Sequence, residues 1–149
     1  MDQAQADSQI KFIVTYGHRP AFSSGHHDGD GILVTYMRDL HATHSKYVLN
    51  LNGHSHNYER SDPAQTYGVT HITTGTGGAS SEEEHSSGCL WYNCPGPSWS
   101  VVRAMHLGVT KLTFGANSIT GQFICGPAGG GANDVTCAQG SVIDSFTIQ

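Results

Sequence analysis

The chain has 149 residues, of which 37% are apolar and only 13% charged, with 19 glycines. That length suffices for one domain with its own core, and the composition argues for a loop-rich α/β or mostly β domain against a helical bundle or a disordered chain. The formal charge of −5 leaves no basic footprint for nucleic acid or anionic membranes, and no apolar run approaches the roughly 20 residues of a spanning helix.

In chain order, "IKFIVTY", Ile10 to Tyr16, is β-rich and predicts a buried strand. "GHRPAFSSGHHDGDG" follows and reads as a loop. From Ile32 to His44, Leu33, Tyr36, Met37 and Leu40 recur at helical spacing and predict an amphipathic helix. Lys46 to Leu51 predicts a second short strand. Strand, loop, helix and strand over about 40 residues form a βαβ unit with parallel strands. Val69 to Thr74 predicts a further strand ending in a glycine turn, and 79–100 a long loop of the kind that is usually functional or mobile. Three β-rich segments close the chain, Ser100 to Phe114, Ser118 to Cys125 and Val142 to Ile148. The turn "GANS" between the first two predicts a hairpin. We therefore expect a single partial domain over 1–149, with the βαβ unit at about 10–60 and a β-rich part at about 67–149.

Ten histidines are the compositional anomaly, and they raise the prior for a metal or acid–base site. Gly17-His18 follows the first strand and Gly53-His54-Ser55-His56 the second. Parallel strands end at one edge of a sheet, and ligands of open α/β sheets bind outside that edge. The pattern thus brings His18, His54 and His56 to one rim. Glycine lets the backbone turn sharply beside an ion, and histidines at i and i+2 of an extended segment project to one side.

The four cysteines, Cys89, Cys94, Cys125 and Cys137, form no C-x-x-C pair. Of three possible pairings, Cys89–Cys94 and Cys125–Cys137 are preferred, with a zinc site of unusual spacing as the alternative. Two disulfides imply an oxidising compartment. The start, "MDQAQADSQI", has neither the basic nor the apolar region of a signal peptide, so the expectation is a secreted protein whose natural N-terminus is missing here.

"VTYGHRPAFSSGHH" and "NGHSHNYERS" together resemble the C-terminal half of calcineurin-like metallophosphoesterases, most closely the purple acid phosphatase branch. The residues that match are His18, Pro20, Phe22 and Ser23, then Gly53, His54, His56, Tyr58, Glu59 and Arg60. "HITTGTGG" and "SVIDSFTIQ" are similar to later strands of that family. Thr15 departs from the branch, which commonly carries Val three residues before the first histidine.

The resemblance implies the C-terminal half of a metallophosphoesterase β-sandwich flanked by helices, with a β-rich C-terminal part. It implies two divalent or trivalent ions (Fe, Zn or Mn), with His18 and His54 on one and His56 on the other. Hydroxide would attack a phosphomonoester in line between them. His26 and His27 would protonate the leaving group or, for His27, contact phosphate, in a loop about one residue shorter than the family's. Tyr58, Glu59 and Arg60 would hold the loop shape, with Arg60 also a candidate for substrate binding. The family's early aspartate and Gly-Asn-His motifs are absent from the sequence. The expected partners are therefore a phosphate ester and the missing N-terminal half of the same fold, with no nucleic acid and no membrane. The chain alone is expected to be inactive or very weak. A non-catalytic metal-binding remnant and a secreted β-rich binding module are the alternatives.

Simpler roles are expected elsewhere. His41 and His44 read as a solvent-facing helical pair, and His71 and His106 as structural. Glu82-Glu83-Glu84-His85 reads as a solvated acidic loop. Asn50, Asn52 and Asn57 are candidates to orient a ligand or to shape turns. Trp91 and Trp99 could line a substrate entrance or pack beneath the disulfide loop.

Overall fold

A computed structural model describes residues 1–82, 88–129 and 131–149. The elements run α1 (Asp2–Ala6), β1 (Ile13–Tyr16), α2 (Gly31–Thr43), β2 (Tyr47–Asn52), β3 (Tyr58–Ser61), β4 (Thr70–Thr74), β5 (Ser100–Ala104), β6 (Gly108–Phe114), β7 (Ile119–Cys125) and β8 (Val142–Ile148). Two sheets result, a five-stranded one in the order β1-β2-β4-β3-β5 and a three-stranded one in the order β6-β7-β8. The fold is mixed α/β and dominated by sheet, as the sequence implies.

β1, β2 and β4 are mutually parallel, and β3 runs antiparallel to both β4 and β5. β2 and β4 lie inside the sheet and are buried along most of their length, which explains their nearly continuous apolar and β-branched character. The Asp30 carboxylate caps α2 by accepting from the backbone of Ile32 and Leu33, as short polar side chains do at helix starts. Its Met37 and Leu40 then pack on Ile13, Tyr47 and Val69, while Ile32 and Tyr36 on its other side are exposed.

The main core lies between the sheets. Leu49, Tyr58, Ile72 and Ala104 from the first meet Ile119 and Phe123 from the second. The rings of Tyr58 and Phe123 stack at 4.1 Å. Beside them Arg60 Nε donates to Asp144 Oδ2 at 2.6 Å, Arg60 Nη2 to Asp144 Oδ1 at 3.0 Å, and the Tyr58 hydroxyl to Asp144 Oδ2 at 2.6 Å. Asp144 is held below the usual carboxylate range: burial opposes its charge, and the bonds from Arg60 and Tyr58 outweigh burial.

Several expectations are corrected. Ser100 to Phe114 is two strands in different sheets. The chain crosses between them at 105–107, where Asp134 Oδ1 accepts from Met105 N and Gly126 N donates to the Leu107 carbonyl. The hairpin through Gly115 and Ser118 joins β6 to β7 as expected. Tyr58 to Arg60 belong to a strand, and its alternation sends Tyr58 and Arg60 to one face and Glu59 to the other. His41 and His44 do not face solvent. His41 Nδ1 bonds the Tyr47 carbonyl at 2.8 Å, and His44 is buried with its Nε2 2.8 Å from Asp2. The disulfides are Cys89–Cys94 and Cys125–Cys137.

Candidate metal centre

Three parallel strands set the site. β1, β2 and β4 finish at one edge of the sheet, so the segments after them share that edge. The first carries His18, His26 and His27, the second His54 and His56, and the third Glu82.

The two glycine–histidine turns meet. Gly53 N donates to the His18 carbonyl at 3.1 Å, and His54 Nδ1 lies 3.0 Å from His18 Nε2. The His27 ring stacks on that of His54 at 4.0 Å, and His26 meets His27 edge-on at 4.6 Å. Glu82 closes the cluster, with its carboxylate 3.5 Å from His27 Nε2 and 3.4 Å from His56 Nδ1. His56 Nδ1 also bonds the Ser80 carbonyl at 3.0 Å. Donor atoms of His26, His27 and Glu82 all lie within 4.8 Å of one another.

The backbone is bent to make this arrangement. His54 has a φ of 68°, a left-handed conformation that costs a non-glycine residue about 1–2 kcal/mol. His54 is also held below the ordinary histidine value, by partial burial first and then by repulsion from His27, His18 and Arg19, with Glu82 opposing. That favours neutral imidazole, the form with a lone pair to give.

A second layer of contacts fixes the turn carrying His26 and His27. Glu59, buried at 2% exposure, accepts from Ser24 N at 2.8 Å and from the hydroxyls of Ser24 and Ser100 at 2.5 Å each. Its pKa is raised by burial, which those bonds and nearby Arg103 only partly offset. A side chain at Gly25 would run into Asn57 Oδ1 and Ser55 Oγ, so the turn presses directly on the His54–His56 segment. Under His18, Asn52 Nδ2 donates to the Arg19 carbonyl at 2.8 Å, and Asn50 Nδ2 donates to Asn52 Oδ1 at 2.5 Å. Asn50 in turn lies 3.3 Å from His71 Nδ1. His71 is buried, which lowers its pKa to about 4 and keeps it neutral.

The donor set fits a borderline ion such as Zn, Fe or Mn, since imidazole and carboxylate suit all three. One atom supports the fit: Glu82 Oε2 is shielded from solvent and accepts no hydrogen bond among the described residues, with His27 Nε2 3.5 Å away, and a cation between them would satisfy it. Among the described residues the set is short for two ions, because each takes four to six ligands and the cluster there holds a single carboxylate.

Sequence reasoning brought His18, His54 and His56 to one rim and missed Glu82, which reads as one of three acidic residues in a polar loop. Its position after β4, the third parallel strand, was the available signal. His85 lies outside the described residues. Arg60 is a correction: its guanidinium is engaged by Asp144 between the sheets and stacked over Phe146 at 5.1 Å, so it is not available to substrate at the rim. Trp91 is not at an entrance either. It is buried, donates from Nε1 to Asp134 at 2.6 Å and lies under Arg103.

The solved structures that resemble the chain share this fold. One is the purple acid phosphatase PPD1 from yellow lupin (Lupinus luteus) seeds, with a TM-score of 0.66 and 23% identity over 97% of this chain and 26% of that one. Another is GAP50, the anchor in the inner membrane complex of Plasmodium, with a TM-score of 0.60 and 22% identity over 92% of this chain and 36% of that one. The chain therefore spans only a minor part of either protein's length. No curated protein sequence matches it. The family model for the iron/zinc purple acid phosphatase-like protein C domain matches residues 68–145, a stretch that includes Glu82 and follows the five clustered histidines. By that match over more than half of its length, the chain belongs to the purple acid phosphatase-like family and carries its C-terminal domain.

Proposed function

We propose that this chain contributes the histidine-rich side of a metal-dependent phosphoester hydrolase acting on phosphomonoesters. The observation that carries the reading is the convergence of His18, His54, His27 and Glu82 at the ends of three parallel strands. His18 and His54 would hold one ion and His56 a second. When bound, the ions supply Lewis acidity for activating water and offsetting charge on the attacking and leaving oxygens.

The chain's own residues have separate tasks. The bent backbone at His54 and the contact with His18 orient two imidazoles toward one point. His27, stacked on His54, stands where a ring N–H can donate to a phosphate oxygen. His26 or His27 can pass a proton to the departing alkoxide. Glu82 keeps His27 and His56 in register, and Glu59 and Gly25 hold the turn that carries His26 and His27.

Further carboxylate ligands belong to a partner segment, the N-terminal half of the same fold. β1 is an edge strand that pairs only with β2 among the described residues. Between it and α2 runs a groove of about 400 Å³ lined by Tyr16, His18, Leu33 and Met37. Both features support docking of an added strand beside His18. Secretion is part of the same proposal, supported by the two disulfides. No helix among the described residues is long and apolar enough to cross a membrane.

The test is metal titration and hydrolysis of a chromogenic phosphate ester, by this chain alone and by a longer chain including the upstream coding sequence. Metal binding by both, turnover by the longer chain, and loss of both properties in His54→Ala support the proposal. Failure of either chain to bind zinc, manganese or iron would end it. A second reading is favoured by the single carboxylate that the cluster holds among the described residues: a metal-binding domain without turnover. Binding without hydrolysis by the longer chain would establish that alternative.

A further inference from the structure

Away from the histidine rim, a second set of donors lies at the crossing between the sheets. One ring nitrogen of His106 and the sulfurs of Cys125 and Cys137 all fall within 4.8 Å of one another. His106 is buried at 3% exposure and Cys125 at 2%. In the structure the two sulfurs are joined, so neither can take a cation as a thiolate. We propose that reduction of the Cys125–Cys137 disulfide turns this cluster into a binding site for a thiophilic divalent cation of the zinc type.

The chemistry of the donors suits that ion. Two thiolates and one imidazole, with a fourth position left to water, form a known zinc ligand set. Bonds of about 2.3 Å to sulfur place tetrahedral donors roughly 3.8 Å apart, so the two sulfurs, now joined, must move apart once reduced. One hydrogen bond fixes the tautomer of His106. Its Nδ1 donates to the Leu107 carbonyl at 2.8 Å, which leaves Nε2 with the lone pair. A backbone carbonyl on the other ring nitrogen is the usual device for fixing a ligating imidazole.

The donors are also held together by contacts other than the S–S bond. Cys125 sits in the β6–β7 ladder opposite Gly108. Gly126 N donates to the Leu107 carbonyl at 2.7 Å, and Gly140 N to the Cys125 carbonyl at 2.8 Å. On the approach to Cys137, the Asp134 carboxylate accepts from Met105 N and from Trp91 Nε1. Breaking one covalent link therefore leaves the three residues as neighbours. The step balances with a dithiol as reductant: it passes two electrons and two protons to the two sulfurs and closes its own disulfide. A divalent cation then displaces the two thiol protons.

The test uses the whole chain with Cys89→Ser and Cys94→Ser, so that only one disulfide remains, and a water-soluble phosphine as reductant. Cobalt(II) is the probe, because thiolate ligation gives a near-ultraviolet charge-transfer band that imidazole-only ligation at the rim does not. The expected result is one equivalent of that band after reduction, none before it, and displacement by zinc. His106→Gln should weaken cobalt affinity by ~10-fold or more, and His54→Ala should leave the band unchanged. Three results would overturn the proposal: no band in the reduced protein, unchanged affinity in His106→Gln, or collapse of the circular dichroism spectrum on reduction.

Discussion

Glu59 reaches across from β3 to Ser24, accepting both its backbone N–H and its hydroxyl. A strand that fills the core with Tyr58 on one face thereby grips, with Glu59 on the other, the turn that carries His26 and His27. Glu59→Ala leaves Ser24, Ser100 and Arg103 without their carboxylate. It should cost about 2–4 kcal/mol, read as a lower denaturant midpoint. It should also broaden the His26 and His27 imidazole signals in NMR, with Glu59→Gln affected less. A Glu59→Ala protein as stable as the parent, with unchanged imidazole signals, would contradict this role.

Gly25 makes a related prediction. Its added methyl would meet Asn57 Oδ1 and Ser55 Oγ, so Gly25→Ala must push the histidine turn off the His54–His56 segment. Overpacking of this kind costs about 1–3 kcal/mol. Zinc affinity should fall with it, measured by calorimetry. Gly31→Ala is the control, because a side chain there meets nothing.

Arg60 and Asp144 join the two sheets through a bidentate pair that is largely buried. Arg60→Ala leaves that carboxylate unpaired and should destabilise by about 3 kcal/mol. Because Asp144 titrates below its ordinary value of 3.8, its contribution is present above about pH 4 and is lost as pH falls below that value. Chemical denaturation of parent and variant at pH 7 and pH 2.5 should show the gap between them narrowing in acid.

His71 governs a different pH window. Its value falls from 6.5 to about 4 in the fold because burial disfavours the charged ring. The folded state resists a proton that the unfolded chain accepts, so stability is full above pH 6.5 and is lost as pH drops toward 4. The loss is on the order of 3 kcal/mol. His71→Gln should flatten the stability profile across that interval, measured by thermal melts at half-unit steps.

The sequence carried the parallel βαβ unit because Leu33, Met37 and Leu40 keep helical spacing between two compact apolar runs, and because glycines mark both strand ends. It carried the histidine rim for the same reason, since strand direction alone places His18 and His54. Three features were not legible. β3 is four residues, Tyr-Glu-Arg-Ser, whose alternation is too short to separate from a polar turn. The break at Met105–Leu107 has no glycine or proline, and it depends on Asp134, 29 residues away along the chain. Glu82 could not be told from its acidic neighbours, because its value comes from tertiary contact with His27 and His56. The place of Arg60 is hidden in the sequence for a like reason: the second sheet supplies its partner Asp144.

The central claim is that imidazoles from separate turns share one cation. Long-range 1H–15N NMR of the histidine rings during zinc titration tests it directly. The account predicts that His18 and His54 shift together at the first equivalent and His56 only as a second ion binds, while buried His71 stays still. Independent shifts of His18 and His54 at different zinc concentrations, or no shift at either ring, would contradict it.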